Sequence, residues 1–172
     1  FVLKLPVTSA NAKKTKVYLP KGEKWYDTRE DKLYSGGQTI NKSVPMDGKA
    51  HYMLRSGAII PTWENVRQLK NALWDSLTIY LLPPYKDDTS EFSLYEDDGV
   101  TELELNKFNR FDFYMSSSIL KIKRKKYGLK SKEARKATLQ LLDGYVFTEN
   151  NMSTFEYDPD NTKYITLGIK KG

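Results

Sequence analysis

The sequence contains no cysteine, and it has a single histidine among its 172 residues. The first absence excludes disulfides, thiol catalysis and cysteine-based metal sites, and it leaves the compartment open, with the cytoplasm slightly favoured. A catalytic triad or a zinc site needs partners for histidine, and none stands at a readable spacing from His51. We therefore assign no metal, no cofactor and no catalytic histidine, and we expect His51 to be structural or merely exposed.

Long apolar runs are also missing, since every run is far shorter than the ~20 residues of a membrane-spanning helix. The formal net charge of +6 is moderate and fits a basic surface without an anionic partner. The densest basic run, Lys121 to Lys136, holds nine basic residues against Glu133. Such a run can grip phosphates, but no nucleic-acid motif accompanies it, so we expect a solvated hairpin between two strands. We predict neither a membrane nor a nucleic-acid partner.

Aromatic residues make up 13% of the chain, with 12 tyrosines, and short apolar segments alternate with a period of two residues. This pattern is typical of sheets and predicts an all-β fold: two antiparallel β-sandwich-like units in series, with little helix. The one passable helical pattern is Val66, Leu69 and Leu73, inside a linker candidate at residues 62–76. We place a proximal β-domain at residues 1–64 and a distal β-sandwich domain at residues 65–172.

The chain is organised around the stretch His51 to Pro61, with the sequence HYMLRSGAIIP. Tyr52 to Leu54 form a short apolar strand, the segment around Gly57 breaks it, and Ala58 to Ile60 resume it. Glycine supplies backbone freedom at a sharp bend, and Pro61 should end the strand because it cannot donate a ladder hydrogen bond. By itself this is a bent, buried strand.

The neighbouring motifs make the interpretation more specific. Upstream stand VYLPKGEKWYD from Val17 and YSGGQTI from Tyr34, and downstream stand LTIYLLP from Leu77 and FSLYEDDG from Phe92. Together with HYMLRSGAIIP, this ordered series resembles the C-terminal β-domains of glycoside hydrolase family 31, from about Val2 to about Phe113. The resemblance implies a parent enzyme that is a retaining α-glycosidase acting on α-glucosides or α-xylosides. We accordingly expect this chain to be a piece of a longer protein.

The resemblance carries over no catalytic residue. The family's nucleophile is an aspartate in a Trp-x-Asp-Met-Asn motif on a (β/α)8 barrel, and no Asp-Met-Asn occurs here. Trp25-Tyr26-Asp27 supplies only the first part of that motif, and it lies in a β-domain segment. The densest acidic cluster, Glu96-Asp97-Asp98, precedes a glycine and is expected to form a structural turn; a calcium loop and a catalytic carboxylate pair are the alternatives.

Aromatic side chains are the candidate ligand-binding groups. Trp25 and Tyr26 could stack on the apolar faces of sugar rings, and the alternative for both is packing in the core. Trp63 and Trp74 lie near the linker, where a role at an interface is expected. Arg55 is expected to neutralise a nearby carboxylate or to bind loop carbonyls.

The sequence thus favours a non-catalytic C-terminal β-domain fragment that supports the catalytic barrel of a family 31 enzyme, its principal partner. The alternative is a carbohydrate-binding module that uses exposed aromatic residues, with Trp25 and Tyr26 as the carbohydrate-binding candidates. A third hypothesis, a basic polyanion binder, rests on the Lys121 to Lys136 run alone. If the preceding strand and the barrel are absent, an unpaired edge and an uncovered face would let the chain self-associate near Phe1–Val7 or Trp25–Tyr26.

Overall fold

The structure is a computed structural model, and it describes residues 1–45, 47, 49–63, 77–97, 108–127, 135–149, 154–157 and 165–172. Within these ranges the regular secondary structure is entirely β, which confirms the predicted fold class. The helical pattern at Val66 to Leu73 falls outside the described residues. No helix in the described ranges is both long and apolar enough to cross a membrane.

Six strands come from the first part of the chain and form a four-stranded sheet and a two-stranded sheet. They are β1 (Val2–Lys4), β2 (Lys14–Leu19), β3 (Lys24–Asp27), β4 (Lys32–Ser35), β5 (Gln38–Ser43) and β6 (Tyr52–Arg55). The remaining strands are β7 (Ile59–Trp63), β8 (Leu77–Leu81), β9 (Ser90–Asp97), β10 (Phe108–Met115), β11 (Ile119–Tyr127), β12 (Arg135–Leu141), β13 (Tyr145–Phe147), β14 (Thr154–Tyr157) and β15 (Ile165–Lys171).

The first unit packs the sheet β1-β6-β3-β4 against the pair β2-β5. Alternation along β2 buries Val17 and Leu19 and leaves Tyr18 54% exposed, as the sequence pattern predicts. Facing them from the larger sheet are Trp25 on β3 and Met53 on β6, which complete the core of this unit.

The second unit is a sandwich of the sheets β13-β15-β11-β10-β9 and β14-β12-β8-β7. Its core contains the inward residues of both sheets, as the period-two pattern of Phe111, Phe113 and Met115 on β10 predicts. One pair departs from the antiparallel expectation, because β8 and β12 run parallel. These two neighbouring strands are thus separated by about half of the second unit's sequence.

The stretch His51 to Pro61 passes through the three hydrophobic clusters that the described residues form. Met53 belongs to the core of the first unit, Leu54 lies in a small cluster between the two units, and Ile59 enters the core of the second. Gly57 makes the predicted bend with a φ of 81°, and its N–H donates to the Leu82 carbonyl at 2.9 Å. This stretch therefore couples the two units through both packing and backbone hydrogen bonds.

Three local predictions need correction. Pro61 does not end its strand: β7 continues to Trp63, and the proline is tolerated because β7 lies at the edge of its sheet. An Asp-Gly dipeptide favours a β-hairpin, but Asp143-Gly144 forms a tight turn without a hairpin, because β12 and β13 diverge into different sheets. The basic run is not confined to a loop between strands, since Lys121 to Tyr127 are part of β11 and Arg135 and Lys136 are part of β12.

The division at residue 64 stays a prediction. β7 lies before that point in the sequence, yet it pairs with β8 after it, from Ile59 opposite Leu81 to Trp63 opposite Leu77. The last strand of the proposed proximal domain is thus part of a sheet of the distal one.

Candidate functional site

The first candidate site is a buried ion pair inside the first unit. Asp27 on β3 is fully buried, Lys42 on β5 is 2% exposed, and Lys42 Nζ lies 2.6 Å from Asp27 Oδ2. Lys42 points inward because it shares a face with Ile40, which packs in the core two residues earlier on the same strand. The ion pair therefore joins the two sheets of the unit across their interface.

Further polar groups surround this pair. Asp27 Oδ1 accepts hydrogen bonds from His51 Nε2 at 2.8 Å and from the N–H groups of Arg29 and Glu30. Because an ionised carboxylate can only accept hydrogen bonds, His51 must carry a proton on Nε2 to donate this one. Lys42 Nζ also donates to Glu30 at 2.7 Å and to the Tyr34 hydroxyl at 2.8 Å.

The charges of the pair are held by these hydrogen bonds. Burial by itself would raise the pKa of Asp27, but the bonds from Lys42, His51 and the two backbone N–H groups outweigh it and lower the pKa. Burial would likewise lower the pKa of Lys42, whereas its bonds with Asp27 and Glu30 raise it. Both groups are charged at neutral pH, and no solvent reaches Asp27, so the cluster fits structural stabilisation and not proton transfer to a substrate.

The second candidate site is a groove of about 270 Å³ between the two units. The first sheet contributes Tyr26, Tyr52 and Leu54 from β3 and β6, on the face opposite the one that carries Asp27. The outer face of the second unit supplies Tyr80 on β8 and other residues from the adjoining strands. The full lining consists of Tyr26, Thr28, Tyr52, Leu54, Ile60, Thr62, Tyr80, Gln140 and Leu142. We call this surface the tyrosine groove.

The pairing of the strands sets the order of side chains in the tyrosine groove. Tyr26 is opposite Leu54 across β3 and β6, while Ile60, Tyr80 and Gln140 form one row across β7, β8 and β12. The buried Leu54 contrasts with Tyr52, which is 38% exposed, and with the exposed Gln140. The groove thus combines an apolar interior with an aromatic and amide-bearing opening.

The sequence-predicted sugar-stacking residues are buried. Trp25 is 7% exposed and donates from Nε1 to the Pro20 carbonyl, and Tyr26 is 6% exposed and donates from its hydroxyl to Asp31. Burial and the hydrogen bond to Asp31 raise the pKa of Tyr26, which stays neutral. Core packing explains the position of Trp25, whereas Tyr26 also lines the tyrosine groove. Glycan binding at these two residues stays a prediction.

The other predicted groups are scattered. Glu96 and Asp97 belong to strand β9 and not to the expected turn, and Glu96 accepts a hydrogen bond from Asn109 at 3.2 Å on the paired strand β10. Asp98 and Trp74 lie outside the described residues. Arg55 lies 3.9 Å from Glu23, the expected neighbouring carboxylate, and its guanidinium sits 4.5 Å from the centre of the Phe1 ring. Among the residues that the structure describes, no group of three or more His, Asp or Glu side chains is placed to hold a metal ion.

Sequence reasoning missed Lys42 as a buried cation and Tyr52, Tyr80 and Gln140 as members of one groove. A signal for the lysine existed, because it stands in phase with the inward Ile40 on an alternating strand. The groove had no such signal, since its members lie up to 116 positions apart in the chain, from Tyr26 to Leu142.

The fold and these sites define a class: a pair of β-domains whose buried polar groups serve structure and whose surface offers a neutral groove. Comparison with known proteins then shows which family the chain resembles. Residues 2–60 match the family model described as the glycosyl hydrolase family 31 C-terminal domain. The chain is similar to the C-terminal β-domains of family 31 glycoside hydrolases, which confirms the resemblance drawn from the sequence.

Solved structures share the fold over almost the whole chain. The family 31 α-xylosidase from Xanthomonas citri aligns with a TM-score of 0.76 at 27% identity, covering 96% of this chain and 18% of that one. A family 31 dextranase from Flavobacterium johnsoniae aligns with a TM-score of 0.74 at 21% identity, covering 98% of this chain and 26% of that one.

Curated relatives match somewhat more than half of the chain. Neutral alpha-glucosidase AB of Sus scrofa is 33% identical over 97 residues, which is 56% of this chain and 10% of that protein. A probable glucan 1,3-alpha-glucosidase of Arabidopsis thaliana is 29% identical over 105 residues, or 60% of this chain and 11% of that protein. The chain therefore spans about a tenth of the length of these relatives.

Proposed function

We propose that this chain forms the C-terminal β-domain pair of a retaining α-glycosidase and supports a catalytic barrel without performing the chemistry itself. The observation that carries the proposal is the match of residues 2–60 to the family's C-terminal domain, in a chain that spans only a tenth of its enzyme relatives. The names of those relatives, α-glucosidases and an α-xylosidase, suggest α-glucosides or α-xylosides as substrates of the parent enzyme.

The described carboxylates support a non-catalytic role. A retaining glycosidase needs two carboxyl groups about 5–5.5 Å apart in an accessible cleft. The tyrosine groove is lined by no carboxylate. A second groove, lined by Tyr114 and Lys121 among others, has Glu91 as its single carboxylate. Asp27 is fully buried against Lys42, so its oxygens cannot reach a glycosidic bond.

The start of the chain offers exposed apolar side chains that suit contact with the barrel. Phe1, Val2 and Val7 are 46%, 54% and 48% exposed, and β1 is an edge strand that pairs only with β6 among the described strands. Exposed apolar side chains beside an open edge are typical of a contact surface. The same features support self-association through Phe1–Val7 when the barrel is absent; the burial of Trp25 and Tyr26 leaves them little area for such a contact.

The test is an activity assay of the chain with 4-nitrophenyl α-glucoside and 4-nitrophenyl α-xyloside. We expect no turnover above that of a sample in which Asp27→Asn and Glu96→Gln are combined. Turnover by the unaltered chain that either substitution abolishes would contradict the non-catalytic role.

Sedimentation at rising concentration tests the contact surface: we expect self-association that Val2→Lys weakens, and a strict monomer at high micromolar concentration would oppose it.

A further inference from the structure

The tyrosine groove has a chemistry that the proposed supporting function does not require. Three tyrosines and three aliphatic residues line it together with three neutral polar residues, Thr28, Thr62 and Gln140. None of the nine lining residues is an Asp, Glu, Lys, Arg or His. This is unusual for a chain in which 29% of residues are charged. An ionic ligand would lose its hydration there without gaining an opposite charge, so the groove selects against ions.

Polar and apolar groups in the groove are arranged for a ligand with both kinds of surface. Leu54, Ile60 and Leu142 belong to the apolar cluster between the units, while Tyr52 and Gln140 are solvent-accessible beside them. Thr28 and Thr62 already donate their hydroxyl hydrogens to the carbonyls of Tyr52 and Thr78, so their oxygens are oriented and can accept further hydrogen bonds. A pyranose ring has apolar C–H faces and hydroxyl-bearing edges that match these groups.

The volume and rigidity of the groove agree with a small ligand. Drug-sized ligands occupy pockets of about 300–1,000 Å³, and this groove of about 270 Å³ lies just below that range, enough for one or two sugar rings. Seven of its nine lining residues lie on strands, where Tyr26 pairs with Leu54 and Tyr80 pairs with both Ile60 and Gln140. The hydroxyl of Tyr26 is further held by Asp31.

We propose that the tyrosine groove is a binding site for neutral sugar residues, formed jointly by the two units, with Tyr52 stacking on a pyranose face and Gln140 hydrogen-bonding to its hydroxyls. The site goes beyond the supporting function proposed above. It holds a glycan by one or two rings, so the affinity is expected to be on the order of millimolar.

The experiment is a titration of the chain with maltotriose, followed by calorimetry and by the amide NMR signals of Thr28 and Thr62. We expect saturable binding at millimolar concentration, shifts at both threonines, and an affinity reduced about tenfold or more by Tyr52→Ala and by Gln140→Ala. Tyr18→Ala is the matched control, because Tyr18 is 54% exposed and does not line the groove. Trigalacturonate, an anionic trisaccharide, should bind at least tenfold more weakly than maltotriose.

Several results would overturn the proposal. They are an absence of maltotriose binding at tens of millimolar, equal binding of trigalacturonate, or an affinity that Tyr18→Ala lowers as much as Tyr52→Ala does. A concentration-dependent dimer that Tyr52→Ala abolishes would assign the groove to a second copy of the chain instead. Because the readout is binding, failure here leaves the assay of hydrolysis unaffected, and the two proposals can fail separately.

Discussion

Replacing Lys42 by methionine should destabilise the first unit severely. Methionine keeps most of the length of the side chain but removes the cation that lies 2.6 Å from Asp27. Breaking a buried ion pair from one side costs about 3–5 kcal/mol, because the remaining charge stays in the interior without its partner. Asp27 would keep its hydrogen bonds from His51 and from two backbone N–H groups. We therefore expect the free energy of unfolding to fall by about 3 kcal/mol, the lower end of that range.

The measurement is urea unfolding followed by tryptophan fluorescence, to which the buried Trp25 contributes from the same core. Lys16→Met on β2 is the control, since Lys16 is exposed and its loss should change the free energy of unfolding by less than about 0.5 kcal/mol. Lys42→Met combined with Asp27→Asn should cost less than the sum of the two single changes, with a coupling of about 1–3 kcal/mol. A cost for Lys42→Met below about 1 kcal/mol, or simple additivity, would refute the reasoning.

The same ion pair predicts how stability depends on pH. The pKa of Asp27 in the folded protein lies below its ordinary value of 3.8, so the ionised carboxylate favours the folded state. Its contribution is complete above about pH 4 and is lost as the pH falls through the lower, folded-state value. The Asp27→Asn variant should therefore lose less free energy of unfolding than the unaltered chain between pH 4 and pH 2. The same pH dependence in both proteins would show that Asp27 does not control the acid sensitivity of the fold.

Two further predictions concern the backbone. The far-UV circular dichroism spectrum should be that of a β protein, and a helix content near the globular average of about 30% would contradict the fold. Gly57→Ala should destabilise the protein by about 1 kcal/mol or more beyond Gly22→Ala. Both glycines have positive φ, at 81° and 90°, but only at Gly57 would the new Cβ lie 3.1 Å from Ser90, and equal thermal midpoints would exclude that contact as the cause.

Much of the local structure follows from the sequence because alternation is a local property. A side chain two positions further along a strand returns to the same face, so the inward set Phe111, Phe113 and Met115 can be identified without knowing what it packs against. The bend at Gly57 is also local, since it depends on the conformational freedom of one residue. The family resemblance rests on the same kind of short, ordered motifs, which the family model then matched over residues 2–60.

Strand pairing, by contrast, was decided by the tertiary structure. Asp143-Gly144 has the sequence of a hairpin turn, but β13 finds its partner in β15 and β12 finds its partners in β8 and β14. The two strands flanking the turn belong to opposite layers of the sandwich, because each layer buries its own apolar face. A turn fixes the direction of the chain over a few residues, and it does not fix which sheet the next strand joins.

The sequence by itself determined that the chain is all-β, which faces of its strands are buried, and which family its ordered motifs resemble. Only the tertiary structure decided that Lys42 meets Asp27 between two sheets, and that Tyr26, Tyr52 and Tyr80 meet in one groove. The physical reason is distance along the chain. Periodicity describes neighbours two residues apart, whereas these sites join strands from separate sheets, whose contacts depend on how the sheets pack.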